Sequence, residues 1–104
     1  MIQLVLTTFA DEESAARVVG SLVSEKLAAC GTLLPGARSL YIWKDKLEDT
    51  AEVFVIFKIA ASRHEPFCRR LAEIHPYEVP EMITVSPDSW NDAYGQWVLT
   101  SARA

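Results

Sequence analysis

The stretch from residue 75 to residue 81 concentrates the side chains best suited to chemistry, because it places one imidazole and two carboxylates within seven residues that include two prolines. Proline fixes its own φ and biases the residue before it toward an extended backbone. The side chains of His75, Tyr77 and Glu78 are therefore presented by a backbone with little conformational entropy left to lose. This pattern is compatible with a binding loop. Taken by itself it favours a structural connector whose histidine caps the end of a helix.

Metal ligation is the first chemistry that these residue types suggest. A thiolate from Cys30 close to His75, and to Glu78 or Glu81, would form a mixed set of soft and borderline ligands that suits copper or zinc. We therefore predict His75, Cys30 and Glu78 as candidate ligands of copper or another divalent cation, with no organic cofactor. For Cys30 the alternative is a small buried side chain, which is what a free cysteine most often is.

The sequence contains two cysteines, Cys30 and Cys68, whose spacing fits neither a disulfide framework nor a CxxC motif. Cys68 stands beside Arg69 and Arg70 and shows no ligand spacing, so it is predicted to be a structural residue. Lone thiols are commonest in reducing compartments, and the N-terminus lacks the basic opening and cleavage site of a secretory signal. We expect a cytoplasmic location.

Aromatic residues could line a ligand cleft, but large aromatics equally anchor subunit interfaces, and we favour the interface. The candidates for cleft or interface are Tyr41, Trp43, Lys58, Tyr77, Glu81 and Trp97. Lys58 and Glu52 stand at the two ends of an apolar run. They either make a polar contact in the cleft or are solvated charges at strand ends.

Charge and missing motifs argue against several classes of function. The formal net charge of −4 and the pI of about 5.1 provide no general attraction for nucleic acid or anionic lipid, so neither is an expected partner. The chain lacks a glycine-rich phosphate loop, an HExxH helix and a serine-histidine-acid pattern. A small enzyme with Cys30 as nucleophile and His75 as base stays the alternative function, and it needs these side chains within about 3 Å of each other.

The pattern of apolar residues predicts seven elements within a single domain over residues 1–104. The first half contains a strand over 2–9, a helix over 12–27 capped by Asp11, and an extended stretch from Ala28 to Trp43 that Pro35-Gly36 interrupts. A polar turn over 44–50 then leads to a strand over 52–58, which completes a hairpin.

The second half begins with Ser62 and Glu65, whose capping-box spacing predicts the start of a helix that Pro76 ends. A strand over 81–85 follows, and Asn91 or Asp92 can cap a terminal helix with Tyr94, Trp97 and Val98 on one side. The order predicts an α+β fold, a ferredoxin-like β-α-β-β-α-β sandwich with an antiparallel sheet and an extra C-terminal helix.

The third strand is apolar on both faces, which is unusual for a sheet with helices on one side. Val53, Val55 and Phe57 point one way, while Phe54 and Ile56 point the other. Burial of each large apolar side chain is worth roughly 1.5–3 kcal/mol, so a second exposed apolar face is unfavourable. We expect another subunit to cover it. The alternative is that the hairpin and the terminal helix fold back over the same face.

Several spaced motifs together resemble the signature of the CutA family of divalent-cation-tolerance proteins. They are Leu27-Ala28-Ala29-Cys30, Leu34-Pro35-Gly36, residues 39–43, Lys58, residues 75–81 and residues 92–97. The resemblance runs nearly end to end and implies a ferredoxin-like fold, a homotrimer, a response to divalent metal ions, and copper or other metal binding in some members. The chain departs from the family pattern at Thr7, where some members carry a cysteine.

Overall fold

The computed structural model describes residues 1–102. The elements are β1 (Ile2–Phe9), α1 (Glu12–Ser24), β2 (Cys30–Trp43), β3 (Lys46–Ala60), α2 (His64–Ile74), β4 (Ile83–Val85) and α3 (Asp92–Ser101). The strands form one antiparallel sheet in the order β2-β3-β1-β4. This order confirms the predicted ferredoxin-like fold with its extra C-terminal helix. None of the helices within residues 1–102 is long and apolar enough to cross a membrane.

The first helix begins where the sequence predicts and ends earlier. Asp11 Oδ1 accepts a hydrogen bond of 2.7 Å from the Ser14 amide, and the same contacts lower the pKa of Asp11. The predicted end at residue 27 is wrong, because α1 stops at Ser24 and Lys26 adopts a left-handed backbone with φ of 62°. That conformation turns the chain back toward the sheet.

The hairpin between β2 and β3 is longer than the sequence predicts. The strands are joined by Lys44 and Asp45 alone, with φ of 51° and 64°, as a two-residue type I′ turn requires. The predicted turn over 44–50 is therefore wrong, because its last five residues continue the strand. Arg38 donates two hydrogen bonds to Asp49 across the strands, at 2.8 and 2.7 Å, and its guanidinium lowers the pKa of that carboxyl.

Two smaller predictions about local structure have opposite outcomes. The irregularity at Pro35-Gly36 is confirmed, because the register shifts between Leu34 and Ala37, and Gly36 has a φ of 90°. The predicted capping box is wrong, because Ser62 lies inside a 3-10 turn over Ala61–Arg63. The N-cap of α2 is Arg63, which makes no capping hydrogen bond through its side chain.

One face of the sheet packs against α1 and α2 and forms the main core. Val53, Val55 and Phe57 of β3 are at most 5% exposed and pack with Val5 and Phe9 of β1 beneath the helices. The predicted alternation along β3 is confirmed, because the side chains of Phe54 and Ile56 are only partly buried on the other face.

We call that other face the open face, and the strand register defines its residues. Directly paired residues carry their side chains on the same side of a sheet. The rows are Thr8–Phe54–Leu34, Ile83–Leu6–Ile56–Thr32 and Val85–Leu4–Lys58–Cys30.

The terminal helix covers only one end of the open face. Val98 of α3 is buried in a small cluster with Ile2 and Ala60, which lie beyond the last of those rows. Leu34, Ile83 and Val85 stay 44, 52 and 41% exposed. The predicted packing of α3 is only partly right, because Val98 is buried while Tyr94 and Trp97 are 41 and 48% exposed.

A buried hydroxyl in β1 generates a prediction about stability. Thr7 is fully buried on the helix side of the sheet, and its Oγ1 has no hydrogen-bond partner. Thr7→Val removes an unsatisfied polar atom and keeps the shape of the side chain, so it should raise the free energy of unfolding by about 1 kcal/mol. Chemical denaturation measures this.

The matched control is Thr32→Val, because Thr32 Oγ1 does have a partner, accepting a hydrogen bond of 2.6 Å from Lys58 Nζ. That variant should gain no stability. A loss of stability in Thr7→Val would show that its hydroxyl is satisfied in the folded protein.

Candidate functional site

The segment 75–81 connects α2 to β4 and lies beside the base of the hairpin. Pro76 cannot continue the helix, and α2 ends at Ile74 with His75 as its C-cap in an extended conformation. The amide of His75 still donates to the Leu71 carbonyl at 2.9 Å. The chain therefore leaves the helix in a defined direction, and the following residues cross the end of β1.

His75 is the anchor of this segment. The residue is 6% exposed, and its ring stacks on Phe9 with centroids 4.3 Å apart and planes 13° apart. Nε2 lies 2.8 Å from the Thr8 carbonyl, which can only accept, and Nδ1 accepts a hydrogen bond of 3.1 Å from the Tyr77 amide. These partners require the neutral ring with its proton on Nε2. Burial lowers the pKa of His75 and favours that neutral form.

Tyr77 and Glu52 form the strongest polar contact between the segment and the sheet. The Tyr77 hydroxyl donates to Glu52 Oε2 at 2.6 Å, and Glu52 is only 8% exposed. Burial, followed by the bond to this carboxylate, raises the pKa of Tyr77, so the phenol keeps its proton. The contact fixes the aromatic ring of Tyr77 against β3.

A cleft opens between this segment and the hairpin. A cavity of about 440 Å³ is lined by Tyr41 and Trp43 from β2 and by Tyr77 and Glu78 from the segment. A second cavity of about 430 Å³ shares Tyr41 and Tyr77 and adds Glu52, Glu81 and Leu40. We call the two together the hairpin cleft. It combines flat aromatic walls with acidic groups, which suits the binding of a small cation or an amphipathic ligand.

The predicted cleft residues divide between this cleft and more distant positions. Tyr41, Trp43, Tyr77 and Glu81 lie in the hairpin cleft, as does the predicted metal ligand Glu78. Lys58 lies on the open face and donates to Thr32, and the Trp97 ring packs beside Tyr94 at a centroid distance of 5.6 Å. These two residues belong to a different part of the surface.

The structure does not bring the predicted metal ligands together within one chain. Cys30 Sγ lies 3.9 Å from the Tyr94 hydroxyl, at the end of the open face covered by α3. Glu78 is exposed and faces Lys44 across 3.9 Å. Both ring nitrogens of His75 are already paired. Within residues 1–102 no group of three or more His, Cys, Asp or Glu side chains could hold a metal ion.

The nucleophile and base of the alternative enzyme are also far apart. Cys30 stands in the row that contains Leu4, whereas His75 contacts Thr8, four residues further along β1. Four residues of strand span about 13 Å. A Cys30–His75 pair at the separation that proton transfer requires is therefore not formed within one chain.

For Glu52 the predicted polar contact in the cleft is confirmed, but its burial and its partner Tyr77 were not predicted. A signal of that burial was present, because a carboxylate directly before an apolar strand must find a hydrogen-bond donor if the strand is buried there. The partner Tyr77 lies 25 residues away, and nothing in the local pattern identifies it. Lys58 is six residues from Glu52 along β3, about 20 Å, so a direct Glu52–Lys58 contact is not formed.

Comparison with known proteins adds a family to this geometry. A family model described as CutA1 divalent ion tolerance protein matches residues 3–101. The divalent-cation tolerance protein CutA of Pectobacterium atrosepticum is 39% identical over 100 residues, which is 96% of this chain and 91% of that protein.

Solved structures agree with the sequence comparison. The crystal structure of CutA1 from Pyrococcus horikoshii is 38% identical, covers 100% of both chains and has a TM-score of 0.94. The structure of the periplasmic divalent cation tolerance protein CutA from Archaeoglobus fulgidus is 22% identical, covers 99% of this chain and 100% of that one, and shares the fold with a TM-score of 0.93.

The bond between Tyr77 and Glu52 leads to a prediction about stability. Tyr77→Phe leaves a buried carboxylate without its donor, which should cost about 2 kcal/mol in the free energy of unfolding. Adding Glu52→Gln to that variant removes the buried charge and should recover part of the loss. Denaturant unfolding of the two single variants and the double variant measures the coupling. Additive effects would contradict the contact.

The depressed pKa of His75 predicts a loss of stability in acid. The folded protein keeps the ring neutral, whereas the unfolded chain takes up a proton below the ordinary pKa of 6.5. The stabilising contribution is therefore complete above pH 6.5 and is lost as the pH falls below it toward the lower pKa of the folded state. Unfolding at fixed protein concentration on both sides of pH 6.5 should show a smaller decline in His75→Gln than in the parent. Equal declines would contradict the prediction.

Proposed function

The chain belongs to the CutA1 family of divalent ion tolerance proteins, and from that premise we propose that it acts in divalent-cation tolerance as a homotrimeric scaffold rather than as an enzyme. In this proposal the hairpin cleft lies at the boundary between copies. A ligand bound in the hairpin cleft changes the assembly, and a further protein recognises that change.

The observation that carries the proposal is the hairpin arm, residues 37–52. Its strand pairs run from Ala37–Glu52 to Trp43–Lys46, beyond the last pair of β1 with β3 at Phe9–Val53. A two-stranded ribbon without a third strand is marginally stable in water. This arm nevertheless carries large apolar side chains into solvent, since Leu40, Ile42 and Leu47 are 58, 66 and 63% exposed. A partner is needed to bury them.

A second copy of the chain is the partner that the surfaces favour. The same molecule offers two unsatisfied apolar surfaces, the arm and the open face, and they lie on different parts of the protein. Contact between the arm of one copy and the open face of the next is heterologous, and such contacts close into rings when the rotation between copies permits it. The family resemblance gives three as the number of copies.

The position of the hairpin cleft links binding to assembly. Tyr41 and Trp43, which form one wall, belong to the arm, while Tyr77 is held to the sheet through Glu52. A ligand that contacts both walls fixes the arm relative to the sheet. If the arm contacts the next copy, that ligand and the assembly favour the same conformation and stabilise each other.

The predicted ligand class stays copper or another divalent cation such as zinc. The predicted ligand residues, however, do not form a metal site within one chain. The set His75, Cys30 and Glu78 is dispersed, and coordination by His75 would break its bond to Thr8 or to Tyr77. This favours a role as a metal-responsive scaffold over a role as a stable carrier of copper. The separation of Cys30 from His75 likewise gives the enzyme alternative no support.

We retain a cytoplasmic location as part of the proposal. Its support is that both cysteines are free thiols, and that Cys30 on the open face and Cys68 on α2 lie on opposite sides of the sheet, where they cannot form a disulfide.

Light scattering during size-exclusion chromatography tests the assembly. The parent should have three times the chain mass of 11.6 kDa. Ile42→Glu on the arm and Ile83→Glu on the open face alter side chains that are 66 and 52% exposed in one copy, so each chain should still fold. Each variant should dissociate, because an unpaired charge in an apolar contact costs several kcal/mol.

The matched control is Ala72→Glu, an exposed position on α2 away from both surfaces, which should keep the parental mass. A parent of 11.6 kDa would overturn the scaffold. A trimer that neither glutamate weakens would show that other surfaces make the contact.

A further inference from the structure

The helix side of the sheet carries a thiol–imidazole pair that the hairpin cleft does not use. Cys68 and His64 are four residues apart on α2 and therefore share one face of the helix. Cys68 Sγ lies 3.5 Å from His64 Nε2, and Thr84 Oγ1 of β4 lies 2.8 Å from the same nitrogen. Three polar groups from two elements thus meet at one point.

From this geometry we propose that Cys68 and His64 form a chelate for a borderline divalent cation of the zinc type, with the Thr84 hydroxyl beside it. Zinc binds thiolate sulfur at about 2.3 Å and imidazole nitrogen at about 2.0–2.1 Å in a tetrahedral arrangement, which places the two donor atoms about 3.5 Å apart. The sulfur and nitrogen are 3.5 Å apart in this protein. A linear two-coordinate ion would need a wider separation of the same atoms.

The surroundings of the pair are compatible with a bound cation. Cys68 and His64 are half-buried and Thr84 is exposed, so solvent can reach the remaining coordination positions. The neighbouring Arg69 and Arg70 are engaged by Glu65 and Glu25, at 2.8 and 3.0 Å, which offsets their positive charge. The Thr84 hydroxyl is placed to accept a hydrogen bond from a water bound to the metal.

Nucleophilic attack and metal binding both require the Cys68 thiolate, so the protonation of the thiol affects each of them. Burial raises the pKa of Cys68, so the free thiol keeps its proton and is a poor nucleophile. A coordinated cysteine is deprotonated, so binding of the metal transfers the Cys68 proton to solvent, and the affinity should rise with pH. His64 can ligate through Nε2 in its neutral form by releasing its contact with Thr84.

Cys68 was not predicted as a ligand, although the predicted helix already places His64 four residues before it, because the Thr84 hydroxyl joins the pair only in the folded sheet. The proposal is independent of the scaffold, since the pair lies on α2, on the opposite side of the sheet from the open face. Variants at this site should therefore change metal binding without changing the mass of the assembly, which separates a failure of one proposal from a failure of the other.

Cobalt(II) as a spectroscopic substitute for zinc tests the site in the full chain. Ligation of cobalt by a thiolate produces a charge-transfer band. Added zinc should displace the cobalt and remove the band. Cys68→Ser should abolish the band, His64→Gln should weaken the affinity by about tenfold or more, and Thr84→Val should have a smaller effect. The matched control, Cys30→Ser, removes the other thiol and should keep the band.

Alkylation of the unaltered chain gives a second test that needs no variant to fold. Zinc should slow the labelling of Cys68 and leave Cys30 unchanged, as read by mass spectrometry of the two peptides. No charge-transfer band, a band lost in Cys30→Ser but kept in Cys68→Ser, or equal labelling of Cys68 with and without zinc would each overturn the proposal. The pair would then be a simple hydrogen bond between thiol and imidazole.

Discussion

The central sheet presents apolar side chains on both faces, and the remainder of the structure depends on how each face is removed from water. On one face α1 and α2 bury Val53, Val55 and Phe57 almost completely. On the other, α3 reaches only the end near Ile2 and Ala60. Since each large apolar side chain gains roughly 1.5–3 kcal/mol on burial, the uncovered part of this face is a strong drive toward association.

The hairpin cleft depends on the same arrangement, because the arm that forms one wall extends beyond the end of β1. The opposite wall is rigid for a local reason. His75 is held between Phe9, the Thr8 carbonyl and the Tyr77 amide, and Tyr77 in turn is bonded to the buried Glu52. One wall of the cleft is therefore fixed within a single copy, and the other wall, the arm, would be stabilised by association. In the proposed trimer this couples ligand binding to assembly.

Periodicity predicted the fold well, because the apolar repeats of β3 and α1 directly record which faces are buried. The cap at Asp11 and the irregularity at Pro35-Gly36 were predictable for the same local reason. The length of the hairpin was not, because its polar residues 46–50 look like a turn until their cross-strand partners are known. The site was predicted in part: Tyr41, Trp43 and Tyr77 do meet in a cleft, but the role of His75 depends on Phe9 and Thr8, 66 and 67 positions away in the chain. Such partners follow from tertiary packing alone.

Hydrogen exchange of the hairpin arm in the assembled protein tests the central claim most directly. If copies of the chain cover the arm and the open face, amides of residues 37–52 should exchange nearly as slowly as those of β1, and dilution below the association range should make them fast while β1 stays protected. Fast exchange throughout the arm at high protein concentration, beside a protected β1, would show that a single copy leaves these surfaces in water and would contradict the account.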